Sequence, residues 1–96
     1  MDYRILVTQK ALNDLASLVS HIAEDDADAA SRFGNALLNH VDLLSRFPFM
    51  GTAIGRRLRV RKLVHSPVVV YYRILEEQHA VEILQFRHGS RQAPDL

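Results

Sequence analysis

The first half of the chain alternates apolar and polar residues with helical spacing. Residues 3–7 (YRILV) form a short β-branched and aromatic run that predicts a strand. Thr8 can then cap a helix that continues to about Asp25, and Asp26 or Asp28 can cap a second helix that ends before Pro48. The apolar stripes that support the two helices are Leu12, Leu15, Ala16, Val19, Ile22 and Ala23 in the first, and Ala30, Phe33, Leu37, Val41 and Leu44 in the second.

In the second half the period falls to two residues. Residues 47–55 (FPFMGTAIG) are expected to be an ordered loop, and a strand starts at Arg57 with Leu58 and Val60 on one face and Arg59 and Arg61 on the other. Residues 68–75 predict a central strand with both faces covered, and residues 80–86 predict the next strand. The chain is therefore expected to be one α+β domain, residues 1–96, in the order β-α-α-β-β-β, with a helical hairpin on one face of a small antiparallel sheet.

Composition narrows the class of protein. The 96 residues include no cysteine, which excludes disulfides and thiolate metal sites and favours a reducing cytoplasm as the compartment. The N-terminus does not resemble a signal peptide, and no apolar run approaches the roughly 20 residues that a membrane span needs. No membrane partner is expected.

Charge is divided unevenly along the chain. Residues 1–49 contain four Lys or Arg against seven Asp or Glu, whereas residues 50–96 contain eight against four. Arginine side chains bind phosphates and carboxylates through a planar fork, so they suggest an anionic partner. The alternative is that the charges only discourage pairing of exposed strands. The candidate binding residues on the face away from the helices are Arg59, Arg61, Lys62, Arg73, Arg87 and Arg91.

Arg73 is the strongest of these candidates. It lies within the apolar run VVVYYRIL, where a charge needs a partner. Tyr71 and Tyr72 must point to opposite faces of that strand, and the sequence does not decide which of them is in the core.

Five motifs in a fixed order carry a resemblance that covers nearly the whole chain. They are Ala11, Asp14, Leu15 and Ile22-Ala23; Ala29-Ala30-Ser31-Arg32-Phe33 with Leu37; Phe47-Pro48-Phe49-Met50-Gly51; Val70-Tyr71-Tyr72-Arg73-Ile74; and Val81, Ile83-Leu84, Phe86, His88-Gly89 and Arg91. Through these five motifs, the chain resembles the RelE/ParE superfamily of toxins from bacterial type II toxin–antitoxin systems. The details resemble its ParE or plasmid-stabilisation branch more closely than its RelE branch. The resemblance implies a helical hairpin on an antiparallel sheet, as the periodicity does.

Two activities are implied by the resemblance. ParE-like members bind and block DNA gyrase, and RelE-like members are ribosome-dependent endoribonucleases that cut mRNA. In the second case, metal-independent cleavage would use His88 as acid or base, with Arg61 and Arg73 for the phosphorane charge. Residues 56–63 contain no carboxylate and nothing aromatic follows Phe86, so the sequence favours a binding toxin over a nuclease.

The resemblance also implies a cognate antitoxin whose C-terminal segment folds onto the toxin. Leu18, Leu38 and Leu43 lie beside the main stripes and are either antitoxin contacts or ordinary surface leucines. The sequence leaves open whether the protein forms a homodimer through the hairpin. No cofactor or metal is expected, because His21, His40, His65 and His79 lack ligand spacing and Gly51 and Gly55 do not form a phosphate-binding loop.

Overall fold

The computed structural model describes residues 2–55 and 59–89, and it contains the expected helical hairpin. Helix α1 spans Gln9–Ala23 and helix α2 spans Ala27–Asp42, followed by a 3₁₀ turn at Leu43–Ser45. Both predicted caps form: the Thr8 hydroxyl accepts a hydrogen bond from the Ala11 amide at 3.1 Å, and the Asp26 carboxylate accepts one from the Ala29 amide at 3.0 Å.

The hairpin packs on a five-stranded sheet, which confirms the α+β class. The strand order is β1-β5-β4-β3-β2, so β4 is central, as residues 68–75 predicted. The strands are β1 (Arg4–Val7), β2 (Thr52–Ile54), β3 (Val60–His65), β4 (Val68–Leu75) and β5 (Ala80–His88).

The sheet differs from the expectation in two places. Strand β2 occupies part of the segment predicted as a loop, because its three residues are too few to show a period of two in the sequence. Strand β1 pairs with β5 in parallel, whereas the other pairs are antiparallel. The pair is parallel because the two helices bring the chain back to the end of the sheet where β1 finished, and β2 starts from that end. Three antiparallel steps from β2 then give β5 the same direction as β1.

The core lies between the hairpin and one face of the sheet. In α2 the predicted residues Ala30, Leu37 and Val41 are buried, followed by Leu44. In α1 the predicted stripe is right at Leu15, Val19 and Ile22, which are partly buried, and wrong at Leu12, Ala16 and Ala23, which are exposed. Ala11 and Leu18 also face the core and were not predicted to do so. The main sheet residues of the core are Leu63, Val68, Val70, Tyr72, Val81, Ile83 and Phe86.

Strand β3 has its two faces reversed relative to the prediction. Arg61 pairs with the fully buried Tyr72 and so lies on the hairpin side, while Val60 pairs with Arg73 on the opposite face. Arg59 precedes the strand with a left-handed backbone (φ 52°), which breaks the alternation assumed from the sequence. Leu58 lies outside the described residues.

Helix α1 closes the edge of β5 where β1 ends. Thr8 donates its amide to the Ile83 carbonyl at 3.1 Å and its hydroxyl to the Leu84 carbonyl at 3.2 Å. One turn later, the Asp14 carboxylate accepts a hydrogen bond from the Phe86 amide at 3.2 Å. Backbone groups that a sixth strand would otherwise bind are thereby satisfied by a helix. Neither helix has the length and apolar composition to cross a membrane, within the residues described.

Candidate functional site: an arginine groove and an aromatic tip

The loop between α2 and β2 is fixed to the sheet by a buried tyrosine. Tyr72 is fully buried, donates its hydroxyl to the Pro48 carbonyl at 2.7 Å and accepts from the Gly51 amide at 3.1 Å. Burial raises the pKa of the Tyr72 phenol, so it stays protonated and able to donate near neutral pH. We call residues 47–50, Phe-Pro-Phe-Met, the aromatic tip.

Arg61 binds the same loop from the neighbouring strand. Its Nε and Nη2 atoms donate to the Gly51 carbonyl at 3.1 and 2.7 Å, and Nη2 also donates to the Phe49 carbonyl at 3.0 Å. Its guanidinium carbon lies 5.3 Å from the centre of the Phe49 ring, within cation–π range. Arg61 is thus largely engaged in holding the tip.

Gly51 is required by close packing under the loop. A Cβ at this position would lie 2.5 Å from the Lys62 carbonyl oxygen and 2.5 Å from the Tyr72 hydroxyl. The loop therefore approaches the sheet more closely than a residue with a side chain allows.

Beside the tip lies an open groove of about 1080 Å³, which we call the arginine groove. It brings together Arg59, Arg61 and Arg73, and Phe49 of the tip forms part of its wall. Arg59 adopts a left-handed conformation with φ of 52°, which is uncommon for a residue with a side chain. The remaining lining residues are Ala53, Gly55, Val60, Ile74, Leu75, Glu76, Glu77 and Gln78.

Arg73 has the partner that its position in an apolar strand requires. Its Nε lies 2.6 Å from Oε1 of Glu82, its cross-strand neighbour on β5. Arg73 is about half exposed, so this pair contributes little to stability and mainly fixes the direction of the guanidinium. Strand β4 alternates, with Tyr72 buried and Tyr71 half-buried, so the prediction that both its faces are covered is wrong.

Lys62 and Arg87 lie on the face away from the hairpin but outside the arginine groove. Lys62 pairs across the strands with Tyr71, and Arg87 pairs with Val69. Tyr71 and Val69 precede Arg73 on β4 by two and four residues, which correspond to roughly 7 and 14 Å along the strand. Arg87 Nε and Gln85 Oε1 are buried without a hydrogen-bond partner among the described residues. Arg91, another predicted site residue, lies outside the described residues.

His88 is remote from the arginines with which a ribonuclease would pair it. It aligns with Val68, whereas Arg73 aligns with Glu82, six residues earlier on β5. Six strand residues span about 20 Å, so the structure does not place His88 beside Arg61 or Arg73.

His40 and His65 join α2 to β3. Their Nδ1 atoms are 2.9 Å apart and their ring centres 5.1 Å apart, so the two nitrogens point at each other in an N–H···N hydrogen bond. Burial, and then the neighbouring His40, lower the pKa of His65. In the part of the chain that is described, no group of three or more His, Asp or Glu side chains is placed to hold a metal ion.

Comparison with known proteins agrees with this architecture. Residues 5–93 match the model of the ParE toxin of the type II toxin–antitoxin system parDE. The chain belongs to the ParE toxin family. As a whole, this ParE-family chain is 30% identical over 94 residues to Toxin RelE1 of Caulobacter vibrioides, covering 96% of the chain and 99% of that relative.

Solved structures resemble this ParE-family chain from both branches. The chromosomal ParDE system of P. aeruginosa superposes with a TM-score of 0.76 at 19% identity, covering 90% of the chain and 95% of that structure. The RelBE2 toxin–antitoxin complex of Mycobacterium tuberculosis gives 0.64 at 27% identity, covering 92% and 99%. The isolated E. coli RelE toxin gives 0.60 at 13% identity, covering 94% and 87%. The fold is therefore shared by ParE and RelE proteins.

Sequence reasoning missed two parts of this region. It assigned no role to Glu76 and Glu77, which lie between the two predicted strands, although both line the arginine groove. It treated the aromatic tip as an ordered loop without noticing its exposure, although the two phenylalanines around Pro48 are a visible signal.

Proposed function

We propose that this type II toxin arrests bacterial growth by binding a protein target, DNA gyrase, in the cytoplasm. The observation that supports binding is the arginine groove, where Arg59, Arg61 and Arg73 surround open space and no histidine lines the described wall. Fixed guanidinium forks suit the recognition of carboxylates and need no proton-transfer geometry. Lys62 and Arg87, on the same face of the sheet, would extend this surface. Arg91 lies outside the described residues and stays a predicted contact.

The second candidate is ribosome-dependent cleavage of mRNA. It is favoured by Glu76 and Glu77, which place carboxylates in the same groove as three arginines, and by the identity to a relative named RelE1. A carboxylate could act as the base while Arg61 and Arg73 stabilise the phosphorane. His88 would not act in this groove, because it lies about 20 Å along the sheet.

We further propose that a cognate antitoxin neutralises the protein, since the RelBE2 relative is a toxin–antitoxin complex. A second groove of about 320 Å³ lies between β1, α1 and α2. Its lining is mainly apolar and includes the half-exposed Leu12 and Leu38, with Asn39 and Asp42 as its polar members. An amphipathic antitoxin segment would bury these leucines. Co-expression of the adjacent small gene should restore growth, and Leu38→Asp should weaken that rescue.

A paired assay on one preparation tests the choice of target. The purified protein should inhibit gyrase supercoiling and should not stimulate cleavage of mRNA on programmed ribosomes. Cleavage without gyrase inhibition would replace the first candidate by the second. A soluble protein that leaves growth unaffected would argue for a toxin without activity.

Three substitutions separate binding from catalysis. Arg73→Ala should weaken toxicity and gyrase inhibition by about tenfold or more, because it removes a fixed charge from the groove, and Arg91→Ala should also weaken both. His88→Ala should have much less effect on either readout. Abolished toxicity in His88→Ala, with the circular dichroism spectrum unchanged, would contradict the binding proposal.

A further inference from the structure

The aromatic tip exposes three large apolar side chains at one place. Phe47 and Phe49 are each 56% exposed and Met50 is 40% exposed. Isolated apolar residues are common on protein surfaces, but a contiguous group of two phenylalanines and a methionine is typical of an interaction site. Aromatic residues and methionine are also enriched in the centres of protein interfaces.

The backbone of the tip is held by hydrogen bonds although its side chains are exposed. The Met50 amide donates to the Phe47 carbonyl at 3.1 Å within the loop, and Tyr72 and Arg61 bind carbonyls of Pro48, Phe49 and Gly51 from below. A loop that is already ordered loses little conformational entropy on binding. The exposed apolar side chains of the tip are therefore presented on a loop that is ordered before binding, which favours tight docking.

A positively charged guanidinium lies beside each exposed ring of the tip. The guanidinium carbon of Arg46 lies 5.7 Å from the centre of the Phe47 ring, and that of Arg61 lies 5.3 Å from the Phe49 ring. Residues 46–51 contain no carboxylate. The complementary surface is therefore an apolar cavity with acidic residues at its rim.

We propose that the aromatic tip docks into an apolar pocket rimmed by carboxylates on the protein target of the toxin. This inference rests on the proposed function and adds the principal contact to it, because Phe49 continues the wall of the arginine groove. A nucleic acid fits less well. Met50 and Pro48 offer no aromatic face for stacking, and RNA provides no apolar pocket for them.

The apolar part of the inference is tested with the double variant Phe47→Ser, Phe49→Ser. Its affinity for purified DNA gyrase should fall by about 30-fold, as expected for the loss of central interface anchors. The matched control is Val64→Ser, which removes a side chain that is 54% exposed on β3 and should bind like the wild type. Urea unfolding of both variants shows whether the fold is kept.

The charged part of the inference is tested by reversing one charge. Arg46→Glu should slow association with gyrase and make binding less sensitive to salt, whereas Arg46→Lys should largely restore both. Arg32→Glu is the control, because it makes the same charge change at an exposed position of α2. Equal effects of Arg46→Glu and Arg32→Glu would overturn the acidic rim.

The outcomes distinguish this inference from the proposed function. Gyrase binding by the wild type and equally by the double variant overturns the tip alone. A wild type that slows growth without binding gyrase contradicts gyrase as the target, and the tip then stands only if the double variant loses toxicity relative to Val64→Ser. No effect of the wild type on growth overturns both proposals.

Two other occupants of the tip give different results. A double variant that stays toxic but escapes the antitoxin assigns the tip to the antitoxin and overturns the inference. A change from dimer to monomer on gel filtration, with toxicity unchanged, assigns it to a second copy of the chain. Loss of ribosome-dependent cleavage with gyrase binding unchanged assigns it to RNA. Each of these results contradicts docking on a target protein.

Discussion

Tyr72 shows how one hydroxyl can connect the core to an exposed surface. Its ring is part of the hydrophobic core, while its hydroxyl binds both Pro48 and Gly51. A buried hydroxyl without partners would be costly, so the two bonds stabilise the loop and the tyrosine together. Tyr71, the preceding residue on β4, is half-buried on the opposite face of the sheet.

Tyr72→Phe should therefore lower the free energy of unfolding by about 1–3 kcal/mol, because it leaves the buried Pro48 carbonyl and Gly51 amide without their side-chain partner. The measurement is urea unfolding followed by circular dichroism, with a lower midpoint and an unchanged slope. Tyr71→Phe is the control and should unfold nearly like the wild type. Equal effects of the two substitutions would contradict the role given to the Tyr72 hydroxyl.

The His40–His65 hydrogen bond makes stability depend on pH. Because burial lowers the pKa of His65 in the folded protein, the unfolded chain binds a proton there more readily. The contribution is fully present above the ordinary histidine pKa of about 6.5 and is lost as pH falls from that value towards the lowered pKa of the folded state.

Stability should accordingly fall more in the wild type than in His65→Asn when the pH is lowered from about 7.5 to about 5. The wild-type minus variant difference in urea midpoint isolates this histidine from carboxylates that titrate in the same range. A His65→Asn protein with the full wild-type pH dependence would contradict the assignment.

For single residues, the sequence predicted which side chains are important more readily than which residues they contact. Arg73 could be singled out because a charge within VVVYYRIL needs a partner, and Glu82 is that partner. The direction of Arg61 could not be predicted, since its strand starts after Arg59, whose left-handed conformation is uncommon for a residue with a side chain and has no sequence signal. The pairing of His40 with His65 spans 25 residues and leaves no local signal.

Strand β2 and the loop before it form the element on which the candidate site depends. The element is short, and its position is set by Gly51, which lies against β3 and Tyr72. Its geometry comes from contacts with residues that follow it in the chain, so a local pattern could not predict a strand there. The long strands and the capped helices could be predicted because their periods and caps are local.

Two glycine substitutions should have opposite signs. Gly51→Ala should lower the free energy of unfolding by about 1–3 kcal/mol, because its Cβ meets backbone and a buried hydroxyl at 2.5 Å. Gly34→Ala should raise it by about 0.5–1 kcal/mol, because alanine favours the helix and its Cβ is in ordinary contact with Val19 at 3.5 Å. Urea midpoints of the two variants check the contrast, and a stabilised Gly51→Ala protein would contradict the packing described.

Across the whole molecule, the first and last elements hold each other. Strand β5 pairs with β1 on one side and β4 on the other, and α1 closes the rest of its edge. The acidic half of the sequence forms β1 and the hairpin, and the basic half forms most of the sheet. The layered arrangement could be predicted from the element order, but the parallel β1–β5 pair could not, because it joins residues more than 70 positions apart.

This mutual dependence predicts a single unfolding transition. Because β1 and β5 cannot separate without exposing the core, far-UV circular dichroism and tyrosine fluorescence should give coincident urea curves. Refolding should be slower than that of a helical protein of this size, since the β1–β5 pair joins residues more than 70 positions apart. Two separated transitions would show that the hairpin and the sheet unfold independently.

The way the aromatic tip is held has a consequence for how such a toxin can diversify. Its inward groups, Pro48 and the Gly51 backbone, are bound by Tyr72 and Arg61, while Phe47, Phe49 and Met50 point outward and contribute little to the core. Mutations at the outward positions can therefore accumulate with little loss of foldability. If the tip docks on the target as proposed, substitutions at these three positions would change which protein the toxin binds while the scaffold beneath stays the same.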